Sequence, residues 1–341
     1  MFCVYAEEKQ NSQGMTYQEI LTKFGKISGL VMADYYYVVQ DHKNDIEDEN
    51  GFWFRRIYLT FDKPLNEDVK TRFRLEFNSK GDFKDEKDKI VGFVKDAWIS
   101  YRFYQRHKVI FGLSSTPTWD LIEHHWGYRS VEKTPLDLFK FGGSRDFGVA
   151  LKGYFDEQQH FGYHVMVGNG SGPKNETNKG KKVHGAFWYS PNKSYVFQIL
   201  ADYEDRTGQT DRYTLQAFAG GKWDFGRAGI LFAHQNREQG AGMSDLNLEI
   251  LSGYVVINLA DKWRVFGRVD RMFDRSPDGD DIPYIPIATT AKPTFILGGL
   301  DYEPFKNVHI MPNVEAVIYD SEVGDNVDND LIARATVFYK F

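Results

Sequence analysis

The sequence has almost no cysteine and no long hydrophobic run. Cys3 is the one cysteine among 341 residues, so disulfides within the chain are excluded. The longest apolar run lies around residues 254–260, far short of the roughly 18 residues that a membrane-spanning helix needs. A membrane could therefore be crossed only by a closed barrel of strands, because an open sheet edge leaves backbone groups unsatisfied in lipid.

The chain also lacks an excess of positive charge. Its 42 Lys and Arg residues are outnumbered by 48 Asp and Glu residues, which gives a net charge of −6. A nucleic-acid-binding protein normally presents a basic surface, so we expect no nucleic-acid partner. Repeats of the solenoid kind are absent as well.

Motifs for catalysis and metal binding are missing too. The sequence contains no nucleophile elbow, phosphate loop or paired-cysteine motif. His160 or His164 could act in a surface hydrolase only with a nearby serine, which the sequence does not identify. The run Glu123-His124-His125 lacks the i, i+4 pair of histidines found in helical zinc sites. We expect a protein that is not an enzyme and that uses no metal or cofactor.

Aromatic residues, in contrast, are abundant. The chain contains 27 Phe, 20 Tyr and 7 Trp. Transmembrane barrels combine aromatic girdles at the two membrane interfaces with a polar interior, and this composition is typical of them.

The breaks between strand-like segments alternate between long and short. The long breaks are polar and fall at 40–51, 79–90, 116–143, 169–181, 204–210, 236–245, 274–291 and 320–329. Outer-membrane barrels have short periplasmic turns and long external loops. The alternation predicts an all-β, antiparallel, up-and-down transmembrane barrel of about sixteen strands, with fourteen or eighteen still open.

Period-two patterns in the clearest segments assign charged side chains to the lumen. In 71–77, Phe73, Leu75 and Phe77 alternate with charged residues. A charge facing lipid near the midplane would cost about 2–4 kcal/mol, so the charged side should face the pore. The predicted pore-lining residues are Arg56, Tyr58, Arg72, Arg74, Glu76, Asp96, Arg102, Arg264 and Arg268.

The last segment, 331–341, alternates cleanly and ends on an aromatic residue. Val337, Tyr339 and Phe341 share its apolar face. This ending resembles the C-terminal strand of bacterial outer-membrane barrels, which the outer-membrane assembly machinery recognises. The resemblance implies that these three residues form the assembly signal and that the barrel contacts outer-membrane lipid.

Several short motifs sharpen this resemblance. The stretches FRRIYL (54–59), SRDFGV (144–149) and NVHIMPNVEAVIYD (307–320) resemble strands of the phosphate-selective porin O and P family. The family implies a sixteen-stranded barrel in the bacterial outer membrane, usually a homotrimer, that passes small anions through a basic constriction. This chain departs from a strongly phosphate-selective pore because Glu76, Asp96 and Asp270 are interleaved with its arginines.

The N-terminal region is divided from the barrel by composition. Residues 1–6 resemble the end of a signal peptide, and residues 7–26 form a polar segment that includes a predicted short helix. The barrel is predicted to occupy 27–341.

The longest break, 116–143, is the predicted constriction loop. Long loops within compact folds are usually functional, and in porins the third external loop folds into the lumen. Its aromatic and aliphatic residues could pack on the wall, while its charged residues face the pore. Those predicted constriction residues are Asp120, Glu123, Arg129, Glu132 and Lys133. Asp120, Glu123 and Glu132 are expected to face a basic strip made by Arg56, Arg72, Arg74 and Arg102.

The sequence thus predicts a passive outer-membrane porin for small hydrophilic solutes and ions, with a mild preference for anions that could include phosphate. Two alternatives stay open at this point. One is a soluble or surface-attached β-protein that acts as a binding module, and the other is a sugar-selective channel.

Overall fold

The computed structural model describes residues 17–83, 89–320 and 327–341. The predicted signal-peptide remnant at 1–6, and residues 7–16 of the polar segment, lie outside the described residues. No helix in the described ranges is long and apolar enough to span a membrane.

A short helix, α1 (Tyr17–Phe24), precedes sixteen strands. The strands are β1 (Lys26–Gln40), β2 (Asn50–Pro64), β3 (Val69–Asn78), β4 (Val91–Tyr104), β5 (His107–Ser115), β6 (Arg145–Tyr154), β7 (Phe161–Gly168), β8 (Lys182–Tyr189), β9 (Tyr195–Glu204), β10 (Arg212–Trp223), β11 (Gly226–Arg237), β12 (Leu246–Ala260), β13 (Trp263–Met272), β14 (Lys292–Phe305), β15 (Val308–Asp320) and β16 (Asp330–Lys340).

Each strand pairs with its neighbours in sequence, and β1 pairs with β16 to close the barrel. All the pairings are antiparallel; at the closure, Val31 lies opposite Tyr339 and Ala33 opposite Val337. Closure satisfies the backbone groups that an open edge would leave unpaired. The prediction of a sixteen-stranded, up-and-down antiparallel barrel is therefore confirmed.

The two faces of the strands differ as the alternation predicts. Outward side chains are apolar and exposed; Leu59 and Phe73 are examples, while the inward neighbours Tyr58 and Thr60 on β2 are buried. The long breaks all lie at one end of the barrel, named here the long-loop end, and the short breaks lie at the other, the short-turn end.

Two of the long loops fold back into the lumen. The constriction loop (116–143) contains the helices α2 (Asp120–Trp126) and α3 (Pro135–Leu138). The second inward loop (273–291) contains a 3-10 turn, Gly279–Asp281. Their buried apolar side chains join inward residues of the last strands in one hydrophobic cluster. The hydrophobic core of this molecule thus lies inside the barrel.

Candidate pore constriction

The constriction loop packs one face against the inward side of β11–β15, named here the apolar wall. Trp126 meets Tyr254 edge to face at 5.0 Å, and Tyr128 stacks on Phe266 at 4.4 Å. Gly127 ends α2 with φ +74°, a left-handed conformation that favours glycine. Arg227 of the wall donates to the Trp126 carbonyl oxygen at 3.0 Å. These contacts fix the loop across the lumen.

The opposite face of the loop is charged and turns toward β2–β6, named here the charged wall. Within the loop, Arg129 pairs with Glu123 at 2.9 Å and with Asp137 at 3.1 Å. On the wall, Glu76 forms ion pairs with Arg56 at 3.2 Å and with Lys95 at 2.9 Å. Charges therefore line both sides of the gap between loop and wall.

Two β-bulges raise the charge density of this wall. The register between β1 and β2 shifts at Met32/Ala33, so that Arg55 and Arg56 both face inward and are buried. A second shift on the β3–β4 pair turns Lys95 and Asp96 inward together. A bulge inserts one extra residue and re-aims the side chains beside it. Each bulge thus adds one cation, Arg55 or Lys95, that strict alternation would direct toward lipid.

Arg55 joins the loop to a buried ionic network. Its guanidinium donates to Glu132 of the constriction loop and lies 3.4 Å from Asp34 and 3.5 Å from Glu315. Arg334 pairs with the same Glu315 at 2.9 Å. Removing one partner from such a network leaves a buried charge unpaired and typically costs 3–5 kcal/mol. The network therefore holds the far end of the loop on β1, β2, β15 and β16.

The predicted arginines do not all lie at one level. Arg74 pairs with Asp96 at 3.1 Å beside the constriction loop, while Arg72 pairs with Asp62 nearer the short-turn end at 2.7 Å. Arg102 is half-exposed at that end, where Asp68 of the turn after β2 lies 2.7 Å away.

Arg264 and Arg268 lie on β13, across the lumen from these residues. Arg264 pairs with Glu303 at 2.9 Å and with Asp301 at 3.3 Å, and Arg268 pairs with Asp270 at 2.7 Å. Every arginine among the predicted pore-lining residues therefore has a carboxylate partner.

The loop carboxylates have partners other than the expected strip. Asp120 pairs with Lys152 of β6, and Glu132 pairs with Arg55. Glu123 pairs within the loop, with Arg129. The geometry differs from the expectation because each arginine of the strip already has a carboxylate beside it on the wall or in a turn.

Burial shifts the ionisation of two loop residues toward neutral pH. It raises the pKa of Glu123 to about 7, although Arg129 opposes the shift. It lowers the pKa of Lys133 to about 7, against the attraction of Asp137 and Glu132. The charge of the constriction is therefore expected to change within the physiological pH range.

The second inward loop closes over the long-loop end beside this site. Tyr284 donates its hydroxyl to the Ser79 carbonyl at 2.7 Å and stacks on the Arg55 guanidinium at 4.8 Å. Arg334 donates to the Tyr284 carbonyl oxygen. The length of this segment predicted a long loop, but nothing in its residues predicted that it lies inside the barrel.

Between the constriction loop and the short-turn end, three cations face the lumen without carboxylate partners among the described residues. Lys108, Lys222 and Arg227 point inward from β5, β10 and β11, and each is partly exposed. In the described part of the chain, no carboxylate lies within ion-pair distance of these three groups. We name them the vestibule cations.

The histidines of the constriction loop have separate environments. His125 contacts the Tyr254 hydroxyl through Nδ1, whereas His124 is exposed toward the vestibule cations. Neither belongs to the group of close metal-ligand side chains found in the described ranges, which lies at the long-loop end.

The C-terminal residues lie where an outward signal would be accessible. Val337, Tyr339 and Phe341 are exposed on the outer face, and the Phe341 backbone pairs with Gly29 of β1. Their role in assembly stays a prediction.

Comparison with known proteins agrees with this architecture. Residues 26–119 match the family model of the phosphate-selective porin O and P family. No curated protein sequence matches the chain.

Among solved structures, an anion-selective porin from Comamonas acidovorans has a TM-score of 0.68 at 13% identity, covering 93% of this chain and 99% of its own. The outer-membrane channel DcaP of Acinetobacter baumannii has a TM-score of 0.64 at 14% identity, over 93% and 96%. The trimer form of OmpT from Vibrio cholerae has a TM-score of 0.63 at 10% identity, over 93% and 98%.

The solved structures share the closed barrel architecture of this chain. The predicted resemblance to the phosphate-selective porin O and P family is confirmed, and the chain has the fold of an outer-membrane porin.

Proposed function

We propose that this chain is a passive outer-membrane channel for small hydrophilic solutes with a mild preference for anions. The observation that carries the preference is the set of vestibule cations, Lys108, Lys222 and Arg227, which face the lumen without carboxylate partners among the described residues. A paired arginine contributes little net field, whereas an unpaired cation attracts anions directly.

The ionisation of His124 supports a positive field at this level. Partial loss of contact with water lowers the pKa of His124, and the positive charge of Lys222 lowers it further. Charges in water are screened beyond about 8–10 Å at physiological salt. The vestibule cations therefore act locally, and the overall net charge of −6 does not decide selectivity.

The constriction adds a second positive region. The cations around the gap are Arg55, Arg56, Arg74, Lys95, Arg129, Lys133 and Arg145, and the carboxylates are Glu76, Asp96, Glu123, Glu132 and Asp137. The cations outnumber the carboxylates by two when all are ionised. A narrow passage with this imbalance selects by charge and size together.

The test is the reversal potential of single channels in a salt gradient. Wild-type protein should show anion preference, and Lys108→Gln/Lys222→Gln should move the reversal potential toward cations. The matched control is Lys262→Gln/Lys306→Gln, which removes the same charge from exposed turns at the short-turn end. Equal shifts in both double variants would contradict a local origin of selectivity, and cation preference in wild type would contradict the proposal itself.

We also propose that the channel is a homotrimer. The support is the architecture that it shares with an outer-membrane protein, OmpT of Vibrio cholerae, whose structure is described as a trimer form. Chemical cross-linking in mild detergent should give a ladder that stops at three subunits. A ladder that stops at one subunit, at protein concentrations that preserve activity, would contradict it.

A further inference from the structure

We propose that Asp41, His42 and Asp330 form a binding site for a divalent transition-metal ion of the Zn²⁺ type at the long-loop end. The His42 Nδ1 atom lies 2.9 Å from Asp330 Oδ1 and 3.6 Å from Asp41 Oδ1. One ligand atom from each residue lies within 4.8 Å of the others. Sequence reasoning could not predict this site, because 288 positions separate His42 from Asp330.

Burial distinguishes this group from an ordinary surface cluster of acids. The side chains of His42, Asp41 and Asp330 are only 5%, 2% and 2% exposed. Asp41 Oδ1 is buried and accepts no hydrogen bond from any described residue. A buried carboxylate oxygen that accepts no hydrogen bond is costly. A cation between Asp41 and Asp330 would satisfy that oxygen and offset the repulsion between the two carboxylates.

The donor set favours zinc over calcium or magnesium. Zinc takes imidazole nitrogen and carboxylate oxygen at about 2.0–2.2 Å. In a tetrahedral arrangement, donors at that distance lie roughly 3.4 Å apart, and the separations of 2.9 and 3.6 Å bracket this value. Calcium prefers six to eight oxygens, and magnesium keeps an octahedral shell with several waters. Three protein donors leave zinc one position for water.

Surrounding hydrogen bonds orient the donors. The His42 backbone nitrogen donates to Asp330 Oδ1 at 2.8 Å, and the Lys43 backbone nitrogen donates to Asp41 Oδ2 at 3.2 Å. The Tyr319 hydroxyl donates to the other oxygen of Asp330 and accepts from the Ala288 nitrogen at 2.8 Å. Such outer contacts fix ligand geometry in known metal sites.

The position suggests what the ion would do. Asp41 and His42 follow β1 directly, and Asp330 begins β16, so the site bridges the seam that closes the barrel. Through Tyr319 it also reaches Ala288 of the second inward loop. A bound ion would join the first long loop to the last strand and would stabilise the long-loop end of the seam.

The test uses the whole chain, refolded in detergent and stripped of metal by a chelator. Calorimetric titration with ZnCl₂ should give one site per chain, and Co²⁺ should give the visible absorption of a tetrahedral complex that Zn²⁺ displaces. His42→Ala and Asp41→Asn should each weaken Zn²⁺ binding by more than about tenfold, because losing even an outer contact costs 10–100-fold. His160→Ala removes an exposed histidine paired with Asp156 at 3.4 Å and should bind Zn²⁺ like wild type.

Several outcomes would overturn the proposal. Wild-type protein that takes up no Zn²⁺, or variants at His42 and Asp41 that bind it as wild type does, would mean that the cluster is only an ion pair. Calcium binding of equal strength would exclude the zinc class. Heat-modifiable gel migration checks that each variant is folded, and Asp41→Asn preserves side-chain size in case His42→Ala fails that check.

Discussion

The two walls of the lumen contact the constriction loop in different ways. On the apolar wall, inward residues such as Leu248, Ile250 and Val256 are completely buried under the constriction loop. On the charged wall, Arg56, Glu76 and their neighbours face the loop across ion pairs. The apolar wall holds the loop by hydrophobic packing, which is non-directional, whereas the charged wall creates an electrostatic field in the lumen. Anchoring the loop on one side therefore leaves its other side free to set selectivity.

The largest effect is expected when the aromatic side chain that holds the constriction loop on the apolar wall is removed. Trp126 is 1% exposed and packs on Tyr254 and Phe266. Trp126→Ala should cost about 3–5 kcal/mol of local packing, release the loop from the apolar wall and raise the single-channel conductance well above wild type. Trp263→Ala, at an exposed tryptophan of β13, should leave conductance unchanged. Wild-type conductance in Trp126→Ala would show that the loop is held without its aromatic anchor.

The second prediction concerns the ion pair that joins Glu132 of the constriction loop to Arg55. Burial disfavours the charged form of Glu132, but the adjacent Arg55 overrides this and lowers the pKa to about 2. Because the pKa of Glu132 in the folded protein lies below that of a free glutamate, the ion pair stabilises the folded loop fully above about pH 4.3. This stabilisation is lost as the pH falls toward 2, and amounts to about 3 kcal/mol.

We therefore expect the loop to loosen in acid, with conductance rising between pH 4 and pH 2. Glu132→Gln should show the raised conductance already at pH 7 and a flatter acid response. An identical acid profile in wild type and Glu132→Gln would assign the response to other carboxylates.

The sequence predicted the barrel well and the walls incompletely, for physical reasons. Alternation and loop lengths determine strand number because each crossing of lipid needs an apolar face. Arg55 and Lys95 were missed because period-two counting assumes a regular pleat, which a bulge interrupts. A sequence signal was present nonetheless. Arg55-Arg56 and Lys95-Asp96 are consecutive charged residues within strands, and a regular pleat would put one residue of each pair on the lipid face. A bulge that turns this residue inward avoids that cost.

The apolar wall had its own sequence signal. Between residues 248 and 257, four of the five inward positions are apolar (Leu248, Ile250, Tyr254 and Val256), and the outward residues Leu251, Val255 and Ile257 are apolar as well. A strand that is apolar on both faces is buried on both faces. In a barrel with a polar lumen, such a strand indicates where an inward loop packs. The exact partners of Asp120 and Glu132 could not be predicted, because they depend on the path of the loop in three dimensions.

A smaller effect is expected from the change of the constriction's charge with pH. Glu123 and Lys133 have pKa values of about 7, each shifted by burial. Raising the pH from 6 to 8 therefore ionises Glu123 and neutralises Lys133, and both changes remove positive charge from the constriction. Anion preference should decline over this interval, as read from the reversal potential. Glu123→Gln/Lys133→Met should abolish most of the pH dependence, and a full response in that variant would place the titrating groups elsewhere.

The smallest expected effects separate the two ends of the predicted arginine strip. The Arg74 side chain is 17% exposed, pairs with Asp96 and donates to Thr60 at 2.8 Å beside the constriction. Arg102 and Asp68 are about half exposed at the short-turn end, at 49% and 50%. An exposed pair contributes roughly 0–1 kcal/mol and is screened by salt, so its loss should hardly change either stability or selectivity.

Arg74→Gln should accordingly move the reversal potential toward cations, because Asp96 then keeps only Arg145 as a partner. Arg72→Ala/Arg74→Ala should move it further in the same direction, since Asp62 also loses its cation. Arg102→Gln should match wild type in reversal potential and shift the unfolding temperature only slightly. An equal electrical effect of Arg74→Gln and Arg102→Gln would mean that the narrowest, most selective level of the pore lies at the short-turn end, below the constriction loop.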